Sequence, residues 1–154
     1  MKHHKVDIQM VVPPSEKNRI EKQLWELDSV FIPPLTDRVN ISEYAEKLAN
    51  KAQIVYACEN GKDCGHCAFY VNAQESIAFI TSIAIEPTYQ RRSIGKKLLE
   101  CVKGYCFERG VDCVRLEVNR TNNDAIQFYQ SMKFVKNVCN GEWIEMVCDL
   151  RENC

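Results

Sequence analysis

IAFITSIAIEPTYQRRSIGKKLLE, residues Ile77 to Glu100, reads as a buried strand, a proline stop, a basic turn and a helix. Ile77 to Ile85 is apolar apart from Thr81 and Ser82. A run this short and β-branched suits a core strand better than a helix. Glu86-Pro87 ends it, because proline has no N–H to give a sheet ladder. Beyond Gln90, residues Ile94, Leu98, Leu99, Val102 and Tyr105 or Cys106 recur at helical spacing, and Gly110 is placed to stop the helix. Where a strand bends into a helix, the first backbone N–H groups lack partners and the helix dipole is positive, so an anion is favoured. Arg91, Arg92, Lys96 and Lys97 reinforce that sign, and Gly95 permits a close approach by backbone or ligand. The stretch is therefore either a diphosphate cradle or a solvated basic first turn.

Upstream, Val6 to Val12 is a strand closed by Pro13-Pro14. Ser15 is placed to cap a helix reaching about Asp28, with Ile20, Leu24 and Leu27 on one face. Pro33-Pro34 marks a loop. Asn40 and Glu43 form a capping-box pair before a helix over Ile41 to Ala52, with Tyr44, Leu48 and Ala52 facing inward. Gln53 to Cys58 is a strand, Glu59 to Lys62 a turn, Cys64 to Val71 its hairpin partner, and Asn72 to Ser76 a second turn. Downstream, the helix spans Ser93 to Arg109. Val111 to Asn119 alternates, with Val114, Leu116 and Val118 on one face and Cys113, Arg115, Glu117 and Asn119 on the other. Asn122 to Met132 is a helix, and Phe134 to Leu150 a hairpin about Asn140-Gly141.

One helix joins Ile77–Ile85 to Val111–Asn119, which predicts a parallel, right-handed unit; the hairpins are antiparallel. A mixed sheet covered by helices follows. In such sheets ligands sit beyond the carboxyl ends of parallel strands, and both the basic turn and Asn119 to Asn122 lie at that edge.

The 154 residues suit a single domain over the whole chain, 1–154. A net charge of −1 gives no global field for nucleic acid, and no apolar run has membrane-spanning length. The start, Met1 to Lys5, carries no apolar export signal, so a cytoplasmic location and reduced thiols are expected for the nine cysteines. Cys64-Gly65-His66-Cys67, with Cys58 near, has a zinc-like spacing. On a strand, however, residues three apart should face opposite sides, so no metal is expected. His3 and His4 belong to a chain end.

The element order and two short motifs resemble the GNAT superfamily of acetyl-CoA-dependent N-acetyltransferases. Gln90-Arg91-Arg92-Ser93-Ile94-Gly95 is similar to the family's Gln/Arg-x-x-Gly-x-Gly/Ala pattern, with Ser93 in place of the first glycine. Asn122-x-x-Ala125-x-x-Phe128-Tyr129 followed by Phe134 is similar to the second pattern, with Lys133 where glycine is usual. The resemblance implies an α/β (α+β mixed) fold: a mostly antiparallel sheet of six to seven strands, one parallel βαβ pair and helices on both faces. It implies acetyl-CoA as donor. Ile83, Ala84 and Ile85 would then bond the pantetheine arm, Arg91, Arg92, Ser93, Ile94, Gly95 and Lys96 the diphosphate, and Asn122 the arm again. Tyr129 is the implied acid for the departing thiolate, against a half-buried, hydrogen-bonded tyrosine. Glu117 is the implied base, directly or through water, against a carboxylate paired with Arg115, Arg120 or a helix lysine. Thr81, Ser82 and Glu86 are further polar groups near the mouth, and Ser82 or Thr81 could orient a water.

The acceptor segment is expected in the aromatic, proline-stiffened stretch Phe31 to Arg38, with Tyr44 and the hairpin pair Phe69-Tyr70; Asp37, Glu43 and Tyr70 could receive a cationic or hydroxylated molecule. A small-molecule amine such as an amino sugar is the expected acceptor. A protein amine, a non-catalytic acyl-CoA-binding module and a homodimer remain open.

Overall fold

In the computed structural model, residues 5–90 and 92–152 are described; His3, His4, Arg91 and Cys154 lie outside them. The strands are β1 (Asp7–Val11), β2 (Gln53–Glu59), β3 (Lys62–Asn72), β4 (Ile77–Ile85), β5 (Cys113–Asn119), β6 (Val135–Asn140) and β7 (Trp143–Asp149). The helices are α1 (Lys17–Glu26), α2 (Ile41–Lys51), α3 (Ile94–Glu108) and α4 (Asn123–Ser131), with short 3-10 turns at Asp28–Val30, Leu35–Asp37 and Pro87–Tyr89. The strands form one sheet ordered β1-β2-β3-β4-β5-β7-β6, in which only β4 and β5 run parallel. The mixed, mostly antiparallel sheet read from the sequence is thus the fold. Among the described residues no helix is long and apolar enough to cross a membrane.

The alternation of each strand divides its side chains between two cores. Val55, Phe69, Ile80, Val114 and Leu116 meet Leu98, Leu99 and Val102 of α3 on one face. Ile54, Tyr56 and Ala68 meet Ile20 and Leu24 of α1 and Leu48 of α2 on the other. Each fully buried leucine contributes about 1.5–3 kcal/mol, which is why these stripes dictate register.

Two register shifts matter for function. β3 pairs Phe69 with Ile80 and Ala68 with Ser82, so Thr81 is an extra residue, a bulge in the middle of β4. Bulges bend a strand and increase its twist. Beyond this point β4 and β5 are no longer paired: their ladder covers only Ile77–Ile80 with Cys113–Leu116. Outside the gap, β3 follows β4 to Ile85 and β7 follows β5 to Asn119. The second shift leaves Cys64 unpaired between Gly65 and Asp63. It turns Cys64 into the same core as Cys67, against the strict alternation expected from the sequence.

Several boundaries differ from the sequence reading. Ser15 does not cap α1; its N–H donates to Ala49 O at 2.8 Å, and the helix begins at Lys17 with Glu16 as an N-cap residue that makes no side-chain bond. α1 stops at Glu26 because Asp28 leaves the helix to accept from Thr36 N–H (2.7 Å) and Thr36 Oγ1 (3.0 Å). β5 starts at Cys113 because Val111 N–H closes the end of α3 onto Cys106 O at 3.0 Å. Asn40 caps α2 as expected, its Oδ1 accepting from Glu43 N–H at 3.0 Å.

Helices α3 and α4 end in the same way. After α3, Gly110 at φ +74° donates to Phe107 O (3.1 Å) and Val111 to Cys106 O (3.0 Å). After α4, Lys133 at φ +74° donates to Gln130 O (3.1 Å) and Phe134 to Tyr129 O (3.0 Å). This paired closure favours glycine in the left-handed position. Ser93, at φ +62°, carries the same strain before α3. Lys133→Gly and Ser93→Gly are therefore each expected to raise stability by about 0.5–1 kcal/mol, the left-handed penalty less the entropy of glycine. Denaturant midpoints measured at constant m-value would show it; a fall in midpoint would contradict the strain.

Candidate active site

The parting of β4 from β5 opens a cleft of about 1020 Å³. Ile80 to Ile85 and Leu116 to Asn119 form its walls. At one end lie Gln90 and Ser93 to Lys96 at the start of α3; along one side lie Asn122, Ala125, Phe128 and Tyr129 of α4. The structure therefore brings together Ile83, Ala84, Ile85, Ser93, Ile94, Gly95, Lys96, Glu117, Asn122 and Tyr129, drawn from four separate elements.

The two helix starts at the cleft differ. Asn122 Oδ1 accepts from Ala125 N–H at 3.3 Å and so caps α4. Ser93 sits in the left-handed region and makes no side-chain cap, so the first-turn N–H groups of α3 are left for another acceptor. They lie beside the exposed Lys96 at that end of the cleft, where dipole and charge act together on an anion.

Two expected cradle roles change. The Arg92 guanidinium is held by Glu59, with Nη2 to Oε2 at 3.0 Å, and Tyr89 Oη donates to the same carboxylate at 3.0 Å. The Arg92 side chain is thus committed to a buried carboxylate beside the cleft and does not line it. Gly95 does allow a close approach, but by protein: a Cβ there would lie 3.0 Å from Phe128 Cζ and 3.2 Å from Ile85 Cδ1. Its role is to let α3 settle against α4 and β4.

Tyr129 is buried, with its ring against Phe134 at 5.9 Å and Phe128 at 5.5 Å. Burial pushes its phenol well above the ordinary value, and nearby Cys67 adds to the effect. It therefore remains a proton donor throughout the neutral range. Glu117 is exposed on β5 directly across from Glu145 of β7. Arg115 lies 3.9 Å from Glu145, and among the described residues Glu117 makes no ion pair. The structural pairing considered for Glu117 is therefore not what holds it. Phe79 pairs with Arg115, which places Glu117, two residues on, toward the α1–α2 face, whereas Tyr129 comes from α4 on the opposite face. The two groups flank the gap from opposite sides.

The far end of the cleft is lined by Phe31, Ile32, Leu35, Arg38, Tyr44 and Trp143. Arg38 stacks on the Trp143 ring at 4.4 Å, bridging the proline loop to β7. The aromatic stretch expected near the acceptor is there. Asp37, Glu43, Phe69 and Tyr70 do not line the cleft: Glu43 is at the α2 cap, and Phe69 is fully buried in the core.

A buried polar run was only partly visible in the sequence. His66 Nε2 is 2.8 Å from Ser82 Oγ, and Nδ1 is 3.0 Å from Gln23 Oε1. Gln23 Nε2 donates to Asp63 O at 3.2 Å, and Asp63 holds Arg19 by two bonds of 2.8 Å. Cys58 Sγ donates to Asp63 Oδ1 at 3.0 Å and Cys64 Sγ to Ala57 O at 3.4 Å. Of the side chains in the zinc reading, Cys58, Cys64 and His66 make these hydrogen bonds within the protein, and Cys67 is buried in the core. The available signal was Gln23 itself, a polar residue on the apolar face of α1 between Ile20 and Leu24.

A model of the acetyltransferase (GNAT) family matches residues 18–134. The chain is similar to the [ribosomal protein bS18]-alanine N-acetyltransferase of Escherichia coli K12, 32% identical over 101 residues that make up 66% of this chain and 64% of that protein. It is similar to N-alpha-acetyltransferase 30 of Xenopus laevis, 23% identical over 120 residues, 75% of this chain and 44% of that one. The match thus spans less than two thirds of these relatives' own length. Among solved structures, the Escherichia coli S18-alanine enzyme superposes with a TM-score of 0.71 at 21% identity, covering 95% and 94% of the two chains. The PaiA N-acetyltransferase of Thermoplasma acidophilum, in complex with coenzyme A, gives 0.73 at 17% identity, covering 94% and 99%. At these identities the structural likeness speaks for the fold.

The buried imidazole also sets a pH dependence. Burial lowers the His66 pKa to about 4 in the fold, against 6.5 for a free ring. Between those values the unfolded chain binds the proton better, so stability rises with pH across the window and is lost as pH falls through it. The loss from pH 7 to pH 4 should be on the order of 3 kcal/mol, and His66→Gln should flatten that window. Urea midpoints across this range would test it; equal slopes in both proteins would contradict it.

Proposed function

This chain belongs to the acetyltransferase (GNAT) family, and we propose that it moves the acetyl group of acetyl-CoA onto a primary amine at the amino terminus of a polypeptide. The observation that carries the reading is the convergence of an uncapped helix start, a free strand edge, Glu117 and Tyr129 on one cleft. Acetyl-CoA supplies an activated thioester, and its anionic part fits the N–H groups of Ile94 to Lys96. The β4 edge beyond Ile80 offers backbone groups to an extended arm, as a neighbouring strand would. The Asn122 oxygen is taken up by the cap, which leaves the amide nitrogen for the arm. Glu117 takes the proton that the amine must lose, directly or through water, and the Tyr129 phenol gives one to the departing thiolate. Starting from the neutral amine, which has already given its ammonium proton to solvent, the proton count closes: one leaves the amine and one reaches the thiol.

The polypeptide acceptor is supported by the named activities of the relatives. The small amine first expected from the sequence is the other arm of the test. A peptide beginning with the amino-terminal alanine of ribosomal protein S18 should release free thiol from acetyl-CoA in the presence of the enzyme, and a panel of amino sugars and polyamines should not. Turnover of the small amines alone would reassign the acceptor, and no turnover with any amine would leave a binding module. Tyr129→Phe and Glu117→Gln should each lower kcat by about 10² or more while coenzyme A affinity by calorimetry stays within about twofold. Unchanged turnover in Tyr129→Phe would remove it as the acid.

A further inference from the structure

Outside the acid and base positions, one hydrogen-bonded run begins in α1 and ends in the cleft, and its polarity can be followed atom by atom. Gln23 Nε2 faces the Asp63 backbone carbonyl at 3.2 Å, an oxygen that can only accept. Gln23 Oε1 is thereby turned to His66 Nδ1 at 3.0 Å, and since an amide oxygen also only accepts, the ring proton sits on Nδ1. Complete burial keeps the ring neutral at pH 7, so Nε2 is a lone pair. Ser82 Oγ, 2.8 Å away, is then the donor. Its proton points into the fold, and only oxygen lone pairs remain toward the cleft it lines.

Tyr44 behaves in the same way. Its hydroxyl is 2.9 Å from Thr81 O and 2.6 Å from Thr81 Oγ1, with the Ser82 hydroxyl also a neighbour. Since the Ser82 proton goes to His66, Tyr44 donates to an oxygen of Thr81 or Ser82, and its proton is engaged on β4 either way. Burial keeps the phenol neutral, with its pKa pushed up to about 12. Ser82 pairs with Ala68, whose side chain packs with α1 and α2, so Ser82 and Tyr44 lie on the face toward which Glu117 is directed.

We propose that Ser82 and Tyr44 form the seat of the acceptor amine, offering it lone pairs only, and that His66 and Gln23 are positioning residues that keep the Ser82 proton turned away. An amine presents N–H donors and is accepted; a carbonyl, carboxylate or phosphate oxygen finds no donor in these two hydroxyls. The inference rests on the reading of this cleft as an acetyl-transfer site and adds which atoms choose the nucleophile.

Two measurements test it. Long-range proton–nitrogen correlation spectra of the whole protein, with the His66 signal assigned by its loss in His66→Gln, should show a neutral ring protonated on Nδ1 from pH 6 to 8. A ring protonated on Nε2 would turn the Ser82 proton into the cleft and overturn the proposal. With the alanine-terminated peptide as acceptor, Ser82→Ala and Tyr44→Phe should each raise the peptide KM about tenfold, the loss of one hydrogen bond to an amine, while coenzyme A affinity stays within about twofold. Ser82→Thr, which keeps the hydroxyl, should recover most of the loss. An unchanged peptide KM, or an equal loss of peptide and coenzyme A binding, would overturn it. Should the wild-type protein acetylate a small amine and not the peptide, the same comparison is made with that amine. Should it acetylate nothing, the acetyl-transfer reading fails, and the ring tautomer, which needs no acceptor, still decides the polarity of the seat.

Discussion

The parallel ladder between β4 and β5 stops after Ile80 and Leu116, and the rest of the site follows from that interruption. A sheet centre is the place where an unpaired edge is hardest to tolerate, since each buried polar backbone group left without a partner costs about 1–3 kcal/mol. Two features hold the gap open. The Thr81 bulge bends β4, and the antiparallel ladders on either side continue past the point of parting, to Ile85 with β3 and to Asn119 with β7. Each half of the sheet is thus braced from outside, and of the parted segments Thr81 O is taken by Tyr44, Ile85 O by Gln90 and Asn119 O by Asn122 N–H. An extended ligand that enters this slot replaces a missing strand, which gives affinity without any particular side chain.

Charge is distributed along the cleft in the sense the proposed reaction needs. The molecule as a whole is close to neutral, with a net charge of −1, so there is little long-range steering. The local pattern carries the information instead. The uncapped start of α3 and Lys96 make one end positive. In the gap, Glu117 makes no ion pair among the described residues, while Glu145 directly across the strand pair is offset by Arg115 at 3.9 Å. Arg38, stacked on Trp143 at the far end, keeps its positive charge there. The positive end suits an anion, and the carboxylate left without an ion pair among the described residues is the one assigned the proton transfer in the proposed reaction.

What the sequence revealed was what local pattern controls. The limits of β4, the Asn40 cap and the alternation of Val114, Leu116 and Val118 needed only neighbours a few residues away. The two bulges were hidden, since an inserted residue at Thr81 or Cys64 leaves the apolar pattern almost intact while changing which face each later residue takes. Long-range pairing was hidden as well: nothing near Arg92 points to Glu59, and nothing near Gly95 names Phe128. Gln23 was readable only as a polar residue on an apolar face, and its partners lie on β3. The acceptor was hidden for a different reason. By the family resemblance both motifs concern the donor, so they are silent about the amine.

The two departures from the family's glycines fall on left-handed backbone, Ser93 at φ +62° and Lys133 at φ +74°, and their consequences differ. An N-cap residue typically has an extended backbone, and Ser93, held in the left-handed region, makes no side-chain bond to the N–H groups that follow it. The strain at Ser93 therefore keeps the start of α3 free for an anion, although serine is among the best capping residues. At Lys133 no ligand is involved. There the left-handed turn brings Phe134 back so that its N–H reaches Tyr129 O at 3.0 Å and its ring packs on the Tyr129 ring at 5.9 Å. The strain at Lys133 is offset by the burial of Phe134, and what it secures is the orientation of the phenol. Each strained residue costs about 1 kcal/mol in a fold whose whole margin is about 5–15 kcal/mol, a cost tolerable at two positions because both are over-determined by the packing around them.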